Sequence, residues 1–341
     1  PLPATGNIGT AAATLPSDID IYTVGLGNSS DIDSDELESL ATQNNFFHVD
    51  QDLTGDKYFQ LEKYYTQIFM DVANLATIVD PMYWIAPGQK HEIEFDVLRG
   101  DVRALIVLYD WKGLRLPFFC VSPRGEIVDP VMIPSGFLLR SGATSQARFV
   151  EIMFPSKEAE RYAGRWKVVV THDGRVCRGM PGRKQDEPGF LPNDCGGYKD
   201  PLLYGIAIGV GSNFRMMPFV TPGPVYVGDP ILLTALVSEA GLPVIGCTVS
   251  VEWTAPSGAT GTVTLMDDGV HADGDPDDGE YARMFTQTGS AGTYHFRFRA
   301  TGWSRDGESV MREALRDKAV LPRKPTGEPD DGHKPDPDEC C

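Results

Sequence analysis

The hydrophobic and polar positions change period twice along the chain, and each change marks a change of architecture. Ile19 to Leu26 (IDIYTVGL) is a short, nearly continuous apolar run ending at Gly25-Leu26-Gly27, the pattern of a buried parallel strand. Ser34 follows in position to cap a helix whose first turn carries Asp35 and Glu36, with Leu37, Leu40 and Ala41 as its apolar stripe. Phe46-Phe47-His48-Val49 reads as a second strand. Tyr58, Leu61, Tyr65, Ile68, Val72, Leu75 and Val79 then step by three and four, predicting one long helix from Lys57 to Val79 that Asp80-Pro81 stops.

From Met82 the period becomes two. Ile93, Phe95 and Val97 alternate with Glu92, Glu94 and Asp96, and Ala104–Trp111, Phe149–Phe154 and Trp166–Val170 are further strand candidates between Pro and Gly turns. Residues 174–217 break the pattern with many Gly and Pro and read as an irregular insert. A second β unit resumes at 218–302, with strands Ile231–Val237, Cys247–Trp253, Thr260–Met266, Tyr281–Thr286 and Thr293–Ala300. In the last of these, Tyr294, Phe296, Phe298 and Ala300 face inward, while His295, Arg297 and Arg299 face outward. Spacings of about ten residues with turns between them suit an immunoglobulin-like sandwich. Residues 303–341 read as an acidic, Pro-rich tail, extended from Arg323 onward. The expected fold is therefore mainly β: a partial α/β unit (1–80), a β-sandwich (81–173), the insert (174–217), an immunoglobulin-like β-sandwich (218–302) and the tail.

Composition narrows the function classes. The 341 residues are 41% hydrophobic, enough for a core in each unit, and carry a formal net charge of −18. That charge opposes contact with a phosphate backbone, so no nucleic-acid partner is expected. No run of eighteen apolar residues occurs, so no transmembrane segment is expected, and Pro1-Leu2-Pro3 does not open a signal peptide. The six Cys include no CxxC pair, which argues against structural zinc. Cys177 and Cys195 bracket a polar, Gly- and Pro-rich stretch that lacks the apolar residues to hold itself together, and we expect them to be bonded.

Residues 18–79 resemble the C-terminal portion of a von Willebrand factor A domain. The resemblance is carried by the Tyr22-Thr23-Val24-Gly25-Leu26-Gly27 strand, Asp33-Ser34-Asp35-Glu36-Leu37 opening a helix, Leu40-Ala41, the Phe46-Phe47 strand and the helix after it. That family's metal site begins with an Asp-x-Ser-x-Ser motif, which this sequence lacks, so none of its ligands carries over. Such a piece followed by β-sandwich and immunoglobulin-like units is similar to large extracellular proteins, including bacterial surface proteins and the calcium-activated chloride channel regulator family. Met266-Asp267-Asp268-Gly269, followed by Asp273-Gly274-Asp275-Pro276-Asp277-Asp278-Gly279-Glu280-Tyr281, is similar to a loop of immunoglobulin-like domains in secreted bacterial proteins.

That acidic string is the foremost site candidate. Asp267, Asp268, Asp273, Asp275, Asp277, Asp278 and Glu280 repel one another unless solvent or a cation intervenes, and calcium accepts six to eight oxygens in irregular geometry. The two readings are a calcium site formed by the six aspartates and a solvated turn shaped by Asp-Gly pairs. The string does not have EF-hand spacing. Asp31, Asp33 and Asp35 are read as helix-capping residues, Arg99-Gly100-Asp101 as an ordinary turn, and Leu2-Pro3-Ala4-Thr5-Gly6 as a chance match to a sortase signal. No HExxH, GxSxG or Walker motif occurs, and His172-Asp173 has no marked serine partner, so no catalytic residue and no enzyme activity are expected. The expected function is extracellular adhesion or structural assembly through protein contacts. The alternatives are a fibre or tube subunit assembled by strand complementation, and an accessory region of a secreted hydrolase.

Overall fold

The computed structural model describes residues 19–28, 32–42, 45–49, 56–80, 82–110, 114–144, 147–155, 157–178, 195–197 and 199–323. The chain is mainly β, with two sandwiches and a small α/β segment wedged between them.

In the first sandwich, one sheet runs Leu138–Ala143, Ala147–Met153, Arg103–Asp110, Leu202–Val210 and Ala76–Val79, with Met82–Ile85 also paired to Leu202–Val210. The facing sheet is Lys90–Val97, Gly164–Thr171, Phe118–Val121 and Ile127–Val128. The alternation seen in the sequence holds: Ile93, Phe95 and Val97 are buried with Ile106, Leu108, Trp166 and Ile206 in one core. Its outward partners Glu92, Glu94 and Asp96 meet Arg165 and Lys167 of the neighbouring strand.

The second sandwich pairs Phe214–Val220, Ile231–Glu239, Leu242–Pro243 and Glu280–Phe285 in one sheet. The other contains Val225–Tyr226, Ser309–Leu321, Gly292–Trp303, Thr248–Thr254 and Thr260–Leu265. Tyr294, Phe296, Phe298 and Ala300 point into its core as expected.

Three expectations are corrected. The helix over 57–79 is a helix followed by a strand: α2 (Asp56–Val72) ends at a turn where Asn74 takes a positive φ of 58°, and Leu75 N–H donates to Met70 O at 2.8 Å. Asn tolerates this left-handed position, and the bond closes the last turn. Ala76–Val79 then joins the first sandwich. The stripe differs accordingly: Tyr65 and Val72 are exposed, and Phe59, Leu61, Tyr64 and Met70 are buried. Second, the described residues of 174–217 are largely strand, where an irregular insert was expected, while 179–194 lie outside the described residues. Leu202–Val210 is a strand buried at every position, between Arg103–Asp110 and the Ala76–Ile85 edge. Its Gly209 serves close approach, because a Cβ there would lie 2.8 Å from Met70 Sδ of α2.

Third, 303–341 is not all tail. Asp306-Gly307 makes a turn, with Ser304 N–H donating to Glu308 O at 2.8 Å, and Ser309–Leu321 returns as a 13-residue strand along Gly292–Trp303. The expectations for residues 2–6, Asp31 and 324–341 lie outside the described residues.

The α/β segment is a parallel pair, Thr23–Leu26 with Phe46–Val49, joined through α1 (Ser34–Leu40). Asp33, rather than Ser34, caps α1, accepting from Glu36 N–H at 2.9 Å. Helix α2 packs two ways: Phe59 and Met70 against Leu105, Val107 and Leu203 of the first sandwich, and Leu61 and Tyr64 against Phe47 and Val49.

Candidate functional sites: the acidic loop and the charged junction

The acidic loop carries the chain from Thr260–Leu265 in one sheet to Glu280–Phe285 in the other, and its carboxylates are turned onto its own backbone. Asp273 has no exposed surface. Its carboxylate accepts from the N–H groups of Asp268, Gly269 (2.9 Å) and His271 (2.8 Å). Burial alone would raise its pKa, but these backbone donors outweigh it and hold the group below the usual carboxylate range. Asp267 accepts from Asp278 N–H at 3.1 Å and Gly279 N–H at 3.2 Å. Asp278 accepts from Asp275 N–H (3.1 Å) and Glu280 N–H (2.9 Å). Asp268 accepts from Val270 N–H at 3.0 Å and pairs with His271 Nδ1 at 2.9 Å. Asp275 and Asp277 are exposed. Gly279 is required by its positive φ of 80° and by crowding, since a Cβ there would sit 3.0 Å from Val237 O. Tyr281 anchors the far end: its hydroxyl donates to Val244 O at 3.1 Å and accepts from Cys247 N–H at 2.9 Å.

Chemically, this arrangement is a rigid, self-capped crossover. The donor set does not converge as a cation cage does: among the described residues no three His, Cys, Asp or Glu side chains come together in a way that could hold a metal ion. The six aspartates expected to bind calcium are thus divided between four that cap backbone N–H groups and two that stand in solvent.

The other turn motif also has a structural role. Asp101 of Arg99-Gly100-Asp101 is buried and accepts from Leu98 N–H at 2.9 Å, so its carboxylate closes the turn instead of facing a partner. His172 is buried, with Nε2 3.3 Å from Asp200 O and Nδ1 accepting from Gly174 N–H at 3.3 Å.

The site that sequence reading missed is the junction built on Ser309–Leu321. Arg312, Glu313, Arg316, Asp317 and Lys318 are all buried, an unusual density for one strand. Asp317 is the hub: it accepts from His48 N–H (2.8 Å), the Tyr64 hydroxyl (2.7 Å) and His295 Nδ1 (2.8 Å). His48 Nε2 donates to Gly27 O at 2.9 Å, which in the neutral ring leaves Nδ1 to accept from the Thr293 hydroxyl. Burial and the Asp317 charge hold the Tyr64 phenol well above its ordinary range. Lys318 reaches Glu38 of α1 and the Gly223 carbonyl. Glu313 pairs with Arg297 at 2.7 Å and Arg299 at 2.6 Å. Arg312 donates to Ser212 Oγ (2.8 Å) and Phe214 O (3.0 Å), and burial lowers its pKa to about 10. The Gln67 side-chain amide of α2 binds both backbone groups of Leu315, much as a neighbouring strand would. The signal that announces this strand is Asp306-Gly307, a hairpin dipeptide placed directly after an alternating strand.

Residues 243–317, which span the acidic loop, Tyr281 and most of the charged strand, match the family model described as the conditioned medium factor 2nd Ig-like domain. Among curated proteins, calcium-activated chloride channel regulator 1 of Equus caballus is 36% identical over 85 residues, covering 25% of this chain and 9% of that protein. Calcium-activated chloride channel regulator 4 of Homo sapiens is 30% identical over 94 residues, covering 28% of this chain and 10% of that protein. The match thus spans about a tenth of the length of these relatives. Among solved structures, a DUF4785 family protein of Legionella pneumophila is similar at a TM-score of 0.39 and 11% identity, covering 72% of this chain and 65% of that one. The chain therefore carries an immunoglobulin-like domain similar to the second such domain of conditioned medium factor, and it shares a segment with calcium-activated chloride channel regulators.

Proposed function

We propose that this chain is part of an extracellular, non-catalytic surface protein that works through protein contacts, in adhesion or structural assembly. The observation that carries the reading is the use made of the densest functional-looking motif. From Asp267 to Tyr281 the polar groups are spent on holding a crossover rigid, which suits a scaffold better than a reactive centre. The likeness to calcium-activated chloride channel regulators and to conditioned medium factor supports the extracellular setting. Within this reading, residues 18–79 are taken as the C-terminal part of a von Willebrand factor A domain, a reading that the parallel strands linked through α1 and followed by α2 support. Strand complementation is the second reading: among the described residues Thr23–Leu26 is paired on one edge only, and such an edge accepts a further strand.

Protease shaving of intact source cells tests the extracellular reading. Peptides from exposed turns of 82–323 released before lysis are the expected result. Recovery of those peptides only after lysis would overturn it.

A further inference from the structure

We infer that Cys177 and Cys195 are joined by a disulfide that staples two adjacent antiparallel strands. The strands Arg175–Arg178 and Cys195–Gly197 pair with Arg175 opposite Gly197, Val176 opposite Gly196 and Cys177 opposite Cys195. Directly opposed residues of an antiparallel pair have Cα atoms about 4.5 or about 5.5 Å apart, according to their place in the ladder. Either separation lies within the ~4.4–6.8 Å that a disulfide spans. The backbone register alone thus meets the geometric condition that the sequence spacing left open. Leu114–Arg115 flanks the other side of Arg175–Arg178, with Arg115 opposite Cys177, so the pair belongs to a three-stranded sheet and not to an isolated hairpin.

Cys120 and Cys247 lie in the two sandwiches. Cys120 lies buried in the core of the first sandwich, where burial pushes its thiol up to about 12, and a thiol kept protonated is a poor nucleophile. Cys247 sits half-buried in the second sandwich, beside the Tyr281 anchor. The competing partners are Cys340 and Cys341.

The bond forms by two exchanges with a small-molecule disulfide such as oxidised glutathione. The thiolate of one cysteine attacks the oxidant and releases one reduced thiol. The second cysteine then attacks the mixed disulfide and releases the other, so the two electrons and two protons leave as two molecules of reduced glutathione. Closing the stretch between Cys177 and Cys195 restricts the unfolded chain, and the bond adds stability whatever partner the protein has. The inference does not depend on the extracellular reading, which cell shaving tests separately.

The test uses the full 341-residue chain equilibrated with oxidised and reduced glutathione, alkylated, digested without reduction and mapped by mass spectrometry. The expected result is a linked peptide containing Cys177 and Cys195, retained in the C340S/C341S variant, with Cys120 alkylated only after denaturation. The oxidised protein should melt about 5 °C above both its reduced form and C177S, a shift of the size a loop of this length confers on a large domain. Free Cys177 and Cys195 under oxidising equilibrium, or their linkage to Cys340 or Cys341, would overturn the inference.

Discussion

The acidic loop and the final strand are both highly charged, and they handle charge in opposite ways. From Asp267 to Glu280 the carboxylates are of one sign, and those that are capped, the buried Asp273 included, accept from backbone N–H groups of the loop itself. From Arg312 to Lys318 the charges are mixed in sign and buried; Glu313 pairs across to the neighbouring strand, while Asp317 and Lys318 also reach the distant residues His48, Tyr64 and Glu38. Local capping ties the loop to its own backbone. Long-range pairing makes the strand the element that holds α1, α2 and the parallel strand pair against the second sandwich.

If that contrast is correct, cutting one long-range pair should cost more than cutting any local one. Lys318→Met leaves Glu38 buried without its cation, and a loss of about 3–5 kcal/mol is expected in urea unfolding. Replacing both residues, as Glu38→Leu with Lys318→Met, should recover most of that loss because no uncompensated charge remains. A double variant no better than the single one would mean that packing, not charge, holds the junction.

The loop should respond more mildly, and at one residue. Asp273→Ala strands three backbone donors and is expected to cost about 2–3 kcal/mol, with Asp273→Asn losing less because its carbonyl oxygen still accepts. Asp275→Asn and Asp277→Asn, on exposed side chains, should stay within about 0.5 kcal/mol of the parent. Equal losses at all three positions would break the distinction between capping and solvated aspartates.

The same residue sets a pH dependence. The folded-state pKa of Asp273 is depressed, so its contribution is full above the unfolded value of about 3.9 and is lost as pH falls through the folded value. Urea midpoints measured from neutral pH down to about 3 should therefore fall less steeply in Asp273→Asn than in the parent. Parallel curves would remove the anionic cap from the account. Calcium is expected to have the smallest effect: millimolar calcium or chelator should move the melting midpoint by less than about 1 °C, because only selective binding to the folded state would raise it. A rise of several degrees that disappears in Asp273→Asn would instead place a cation in the loop.

Much of the β architecture was legible in the sequence because it is written in alternation. Tyr294, Phe296, Phe298 and Ala300 against His295, Arg297 and Arg299 describe a strand with one apolar face, and Ile93, Phe95 and Val97 do the same in the first sandwich. Where burial is two-sided, alternation vanishes. Leu202–Val210 is buried at all nine positions, and its Gly205 and Gly209, small because α2 and Tyr109 press close, made a central strand look like a loop. The final strand failed for a different reason. Five charged residues in seven suggest a solvated tail unless their partners are known, and those partners are distant in sequence. Helix α2 was overextended because Leu75 and Val79 continue its stepping, while the Asn74 stop is a single residue. For the acidic loop, the sequence located the motif, and the geometry adds what the sequence does not carry: four of its aspartates accept from backbone N–H groups.

Hydrogen–deuterium exchange of the full chain tests the central claim most directly, namely that Ser309–Leu321 is the buried strand joining the α/β segment to the second sandwich. The amides of Val310–Val320 should fall in the slowest-exchanging class and open only with the whole domain. In Lys318→Met, residues 19–49 and 310–320 should lose protection together, while 90–171 keeps theirs. Rapid exchange across 310–320 in the parent protein, at the rate of an unpaired tail, would contradict the account.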